Sequence, residues 1–179
     1  PLPLHASLPI FLENNRSPGI MLEDVLPDTD IKSLCDSQQV ARVLTNILKN
    51  AAESVTERMD QEGESATPGW IHFTLSQQDT PRGPRATIEV DDNGTGLPQT
   101  DLAQLTEPYV TTRTKGTGLG LAIVKKIMED HGGDLILENR REGGARATLI
   151  FPPQDDALPQ PADTVIDTVT GAVQAQASE

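Results

Sequence analysis

The sequence predicts an α+β fold, a mostly antiparallel sheet covered on one face by helices. Two segments repeat apolar residues at helical spacing, several short runs alternate at strand spacing, and turn residues join the strands in neighbouring pairs. Helices and hairpins that mix along one chain are most simply accommodated in that architecture. The 179 residues, 36% of them hydrophobic, suffice for one core of about 140–150 residues and not for two.

At the front, Ser7-Leu8-Pro9 opens a short helix through Asn14, with proline near its first turn. Pro18-Gly19 breaks the chain, and Ile20 to Leu26 reads as a strand ended by Pro27-Asp28. Asp36 is a candidate N-cap for the first strong helix. Its apolar positions Val40, Val43, Leu44, Ile47, Leu48, Ala51, Ala52 and Val55 follow the i, i+3, i+4, i+7 spacing to about Met59. Trp70–Leu75 and Ala86–Asp92 read as strands joined through the turn at Pro81–Pro84, and a short helical stretch is expected near Asp101–Leu105. A polar, Thr-rich loop spans Glu107–Thr117. A second strong helix covers Leu119–Asp130 and stops at His131-Gly132-Gly133. Strands Asp134–Glu138 and Arg146–Phe151 flank the turn Glu142-Gly143-Gly144.

Charge excludes some functions. Lys+Arg 14 against Asp+Glu 27 gives −13, which leaves no basic stripe for nucleic acid. Five of the acids (Asp155, Asp156, Asp163, Asp167 and Glu179) fall in residues 154–179, which contain no Lys or Arg and read as an acidic, flexible tail. Cys35, the one cysteine, excludes a disulfide scaffold and fits a reducing compartment. No apolar run reaches the roughly 18–20 residues of a membrane span, so no direct membrane contact is expected. The start at Pro1 reads as a cut through something longer. The expected organisation is a lead-in over 1–18, a catalytic unit over 19–153 and the tail over 154–179.

Three features suggest chemistry. Asn46 and Asn50, four apart, share one face of the first helix beside its apolar stripe. In the strand Ile88-Glu89-Val90-Asp91-Asp92, alternation puts Asp92 on the face of Ile88 and Val90, where a carboxylate needs a donor such as an adenine amino group. Asn93-Gly94-Thr95-Gly96 follows, and its glycines permit close approach. Lys115-Gly116-Thr117-Gly118-Leu119-Gly120-Leu121 leads into the second helix, whose N-terminus attracts anions. This run is neither a dinucleotide fingerprint nor a P-loop. Each feature alone has a plainer reading: exposed asparagines, an Asp-Asn-Gly turn, a glycine-rich loop.

Together and in order, with Glu107-Pro108-Tyr109-Val110-Thr111-Thr112 between the second and third, they resemble the catalytic, ATP-binding domain of sensor histidine kinases over about Ile20–Pro152. The stretches Leu44–Val55 and Glu107–Gly133 look most like the NtrY-type nitrogen-regulation branch. The resemblance implies the GHKL, or Bergerat, two-layer sandwich shared with gyrase, MutL and the ninety-kilodalton heat-shock chaperone, with a mixed, mostly antiparallel sheet. It implies that Asn46 and Asn50 take part in catalysis and ATP binding, that Asn50 coordinates Mg²⁺, and that Asp92 binds the adenine amino group. Gly94 and Gly96 would make room for the base. Tyr109 through Lys115, with Thr112 and Arg113, would form a lid, Arg113 and Lys115 neutralising phosphate. Gly116, Thr117, Gly118, Leu119, Gly120 and Leu121 would set backbone amides on the triphosphate.

Departures from the family pattern also matter. Asn46 stands where ATP-hydrolysing relatives carry a glutamate base, and an amide cannot take a proton from water. Glu53 replaces a common lysine, and Ala145 a common hydroxyl residue. None of His5, His72 and His131 fits a phosphoacceptor, so the chain is expected to bind Mg-ATP without phosphorylating itself. The phosphoacceptor would lie on a dimerisation domain of a parent kinase anchored in the inner membrane. The present domain would be cytoplasmic and monomeric on its own, with an NtrX-type response regulator downstream. The alternatives are a GHKL-type ATPase, a serine kinase, or a nucleotide-binding regulatory module of the same fold.

Overall fold

The structure is a computed structural model that describes residues 2–28, 31–33, 35–98, 105–107 and 118–153. The elements are β1 (Leu2–Pro3), α1 (Leu4–Asn14), β2 (Ile20–Val25), β3 (Lys32–Ser33), α2 (Ser37–Glu62), β4 (Gly69–Thr80), β5 (Gly83–Asp92), α3 (Gly120–Asp130), β6 (Asp134–Asn139) and β7 (Ala145–Ile150). A 3-10 turn, Gly63–Ser65, follows α2. Most of the Asp101–Leu105 helix, most of the Thr-rich loop and the acidic tail lie outside the described residues.

The main sheet has the order β2-β4-β5-β7-β6. Its β2–β4 pair is parallel and the other three pairs are antiparallel, as expected of a mixed, mostly antiparallel sheet. One face of it carries Ile71, Phe73, Leu75, Ile88, Val90 and Leu149 into a core shared with Val43, Leu44, Ile47 and Val55 of α2 and Val124 and Met128 of α3. Burial of such side chains contributes about 1.5–3 kcal/mol each. The other face is polar: Glu23, His72, Asp91, Arg146 and Glu138 stand side by side across all five strands. The Arg146 guanidinium bonds both Asp91 carboxylate oxygens at 2.6 Å, which raises its already high pKa.

Helix α2 buries the residues its spacing predicts, Ala52 only in part. Asp36 caps it, accepting from the backbone N–H groups of Gln38 at 2.8 Å and Gln39 at 3.1 Å. At the far end of α3, His131 closes the gap between the two helices. Its Nε2 accepts from the Asp36 N–H at 3.1 Å, so the ring proton is on Nδ1, which lies 2.8 Å from the Ile127 carbonyl and donates to it. Capping and packing therefore account for this histidine. Gly132, at φ +68°, and Gly133 complete the stop by donating to Glu129 and Met128 carbonyls. Next to the cap, burial pushes the Cys35 thiol up, away from nucleophilic chemistry at neutral pH.

Three details differ from the sequence expectation. Helix α1 begins at Leu4, so Pro9 is inside it and not in its first turn; burial of Leu8 and Leu12 offsets the lost backbone bond. Those leucines belong to the main core. The β1–β3 pair has two residues per strand, too few for any alternation. Strands β4 and β5 run on to Thr80 and Gly83 because their distal residues pair with each other beyond the buried region.

Asp36→Ala removes the cap of α2. It is expected to cost about 1 kcal/mol of stability, read as a lower urea midpoint with an unchanged slope.

Candidate functional site

A cavity of about 590 Å³ opens between α2, the end of β5, the β6–β7 hairpin and the start of α3. That is a common size for a small-molecule site. Asn46, Asn50 and Ser54 line it from α2, Val90 and Asp92 from β5, and Leu137, Ala145 and Ala147 from the hairpin. Leu105 and Leu119 add apolar wall, so one part of the cavity is apolar and another is amide-rich.

Asp92 is the last residue of β5 and is 5% exposed. The alternation that carries Ile88 and Val90 into the core carries its carboxylate inward too. Oδ1 accepts from the Gly94 N–H at 2.8 Å and from the Ala145 N–H at 3.3 Å. The second donor comes from the strand across the sheet, and it is a main-chain group. The alanine at 145 is therefore compatible with the site even though it has no hydroxyl.

The two glycines after Asp92 have different reasons. A Cβ on Gly94 would lie 2.3 Å from Ser54 Oγ and 2.5 Å from the Ser54 backbone carbon, so this glycine makes room for helix α2. The family resemblance suggests room for a base there; the close neighbour is Ser54. Gly96 does line the cavity, holds φ +79°, and would push a Cβ to 2.8 Å from Asn139 Oδ1. Ser54 also accepts from the Thr95 N–H through its carbonyl at 3.3 Å, stitching this turn to α2.

The asparagines and the glycine-rich segment meet. A Cβ on Gly120 would be 3.2 Å from Asn46 Oδ1 and 3.8 Å from Asn50 Nδ2. Asn46 is oriented by donating its amide to the Arg42 carbonyl at 2.9 Å. Gly118, at φ +66°, and Leu119 bring the chain into α3, and among the described residues no side chain caps that end. The first N–H groups of α3 thus sit beside the cavity with the partial positive charge of a helix start. Glu53 and Glu57 stand at the α2 side of the cavity, with Lys49 3.9 Å from Glu53.

Of the residues singled out in the sequence, Asn46, Asn50, Asp92, Gly96, Gly118, Leu119, Gly120 and Leu121 line this one cavity. Tyr109, Thr112, Arg113, Lys115, Gly116 and Thr117 lie outside the described residues. Sequence reasoning missed Ser54, whose signal is a small polar residue one turn after Asn50. It also missed the Ala145 N–H, a main-chain donor that leaves no trace in spacing.

Residues 35–155 match the family of histidine kinase-, DNA gyrase B- and HSP90-like ATPases. The chain belongs to this family. Within it, the chain is 43% identical to nitrogen regulation protein NtrY of Azorhizobium caulinodans over 135 residues, covering 75% of this chain and 16% of that protein. It is 37% identical to the sensory histidine kinase/phosphatase NtrB of Rhizobium leguminosarum over 134 residues, 73% of this chain and 34% of NtrB. The chain thus spans about a sixth of the NtrY protein's length. Among solved structures, it superimposes on the mycobacterial sensor histidine kinase MprB with a TM-score of 0.67 at 25% identity, covering 84% of this chain and 95% of the other. The catalytic domain of histidine kinase ThkA gives 0.64 at 29% identity, with 83% and 89% covered. This ATPase-family domain therefore corresponds to the catalytic part of sensor histidine kinases, in agreement with the sequence motifs.

In this family member the hairpin residue Gly144 holds φ +82°, and a Cβ there would fall 2.0 Å from the Asp92 carbonyl oxygen. Its neighbour Gly143, at φ +96°, has open space around it. Gly144→Ala is expected to lose more than about 2 kcal/mol in urea unfolding, from overpacking added to strain. Gly143→Ala is expected to lose only about 1 kcal/mol, from strain alone.

Proposed function

We propose that this domain binds Mg-ATP in the cavity and donates the γ-phosphate to a histidine on a dimerisation domain outside this chain. The observation that carries the reading is the convergence of a buried aspartate, two asparagines and a helix start on one cavity. In this reading Asp92 accepts a hydrogen bond from the adenine amino group, and Gly94 N–H and Ala145 N–H hold the carboxylate in place for it. The apolar wall of Val90, Leu105, Leu119 and Leu137 flanks the base. The N–H groups at the start of α3 receive phosphate oxygens.

Asn46 and Asn50 carry neutral amide oxygens of the hard kind that Mg²⁺ accepts, and they stand beside the helix start where phosphates would lie. Asn50 is the proposed ligand, and Mg²⁺ bound there would neutralise phosphate charge during transfer. Asn46 offers no base for water, so phosphoryl transfer to a protein acceptor is favoured over hydrolysis. Full-length ShkA, solved in complex with the ATP analogue AMPPNP, matches the chain with a TM-score of 0.66 at 26% identity, covering 88% of this chain and 31% of ShkA. Arg113, Lys115 and the lid around Tyr109 and Thr112 are proposed to complete the site, with Gly116 and Thr117 on the phosphates.

The likeness to NtrY favours a parent sensor kinase whose dimerisation domain passes phosphate to an NtrX-type regulator. No helix among the described residues is long and apolar enough to cross a membrane; an inner-membrane anchor is proposed for the rest of the parent.

The test mixes this chain with a separately produced dimerisation domain of an NtrY-type kinase, labelled ATP and Mg²⁺. Acid-labile label is expected on a histidine of the added domain, with loss on chelation and at least a roughly tenfold reduction in Asn50→Ala. Stable label on this chain alone, or rapid phosphate release without transfer, contradicts the reading.

A further inference from the structure

On the polar face of the sheet, behind the cavity, one cation has no role in the site described above. Arg140 follows β6, and its guanidinium carbon lies over the Trp70 ring, 4.7 Å from the centroid. Its Nε is 3.6 Å from Asp91 Oδ2. Trp70 is stacked in turn on His72, with centroids 4.0 Å apart and planes inclined by 19°. Held by ring and carboxylate, the guanidinium donates through Nη1 to the Asp92 carbonyl at 3.2 Å and the Gly143 carbonyl at 3.2 Å. The main chain of Asp92 is thus gripped from one side of the sheet while its carboxylate lines the cavity on the other.

The preceding residue makes a parallel grip. Asn139 Oδ1 accepts from the Leu97 N–H at 2.7 Å, and its Nδ2 donates to the Leu97 carbonyl at 3.1 Å. That side-chain amide substitutes for a strand partner and pins the chain just after Gly96. The Arg140 N–H donates to the Gly144 carbonyl at 3.0 Å, closing the turn that brings the Ala145 N–H onto Asp92.

We propose that Arg140 is a positioning residue for base recognition: braced by Trp70 and Asp91, it fixes the Asp92 backbone so that the carboxylate meets the six-position of a purine. This rests on the adenine role given to Asp92 in the proposed function. A guanidinium suits the task because its planar fork can lie on a ring and donate sideways at once, whereas an ammonium is a point charge. A fixed carboxylate selects an amino group over a carbonyl; a loose one selects less.

The test compares ATP with inosine triphosphate, which has a carbonyl where ATP has the amino group, by calorimetry and by competition against a fluorescent ATP analogue. In Arg140→Ala, ATP affinity is expected to fall about tenfold and inosine triphosphate affinity less than about threefold, with Arg140→Lys in between. Equal losses for the two nucleotides indicate a merely structural part and overturn the proposal, as does ATP binding within twofold of the parent. If Arg140→Ala does not fold, Arg140→Lys and Trp70→Leu carry the same comparison and the same criteria. Asp92→Asn separates the two levels: unchanged ATP affinity there defeats the adenine reading itself. Weakened ATP binding in Asp92→Asn beside unchanged selectivity in Arg140→Ala defeats only the role of Arg140.

Discussion

A carboxylate at the inner end of a central strand constrains everything around it. Burial of Asp92 costs several kcal/mol unless donors meet it, and the fold supplies two to Oδ1 from the main chain at Gly94 and Ala145. Each donor sets a further condition. The Gly94 N–H can turn back only if its Cα sits against Ser54, which fixes the turn onto α2. The Ala145 N–H arrives only if the β6–β7 turn passes against the Asp92 carbonyl, which requires glycine at 144. One buried charge thereby ties helix, strand and hairpin into the wall of a single cavity.

In the proposed reading, the same arrangement lets a chain of charge −13 bind a polyanion. Recognition of one triphosphate needs local partial charges, and the start of α3 provides N–H groups beside two asparagine amides. A long phosphate polymer needs an extended basic surface, which the outer sheet face does not offer: Arg140 and Arg146 are engaged with Asp91, Glu89 and Glu142. In the proposed reading, position 46 is where the chemistry of kinase and ATPase divides. An amide there cannot deprotonate water.

Much of this was legible in the sequence because it rests on periodicity. The stripe from Val40 to Val55 specified α2, and strict alternation specified the inner face of β5 down to Asp92. The pairing of Asn46 with Asn50 and the glycines before α3 followed from spacing, and the cavity unites them. What was hidden lies in contacts between distant main-chain groups. Two-residue strands have no period, the exposed end of the β4–β5 hairpin has no buried side to alternate with, and Pro9 gives a start signal that α1 ignores. Asn139 and Arg140 look like ordinary strand-end polar residues until Leu97 and Asp92 are found beside them.

Calorimetric titration of ATP into this chain and into Asp92→Asn tests whether the Asp92 carboxylate selects the base. Loss of the charged acceptor is expected to weaken ATP binding by about ten- to a hundredfold, the range of one charge-assisted hydrogen bond, while the thermal unfolding of the two proteins stays cooperative. Equal affinity in the two proteins would contradict the account.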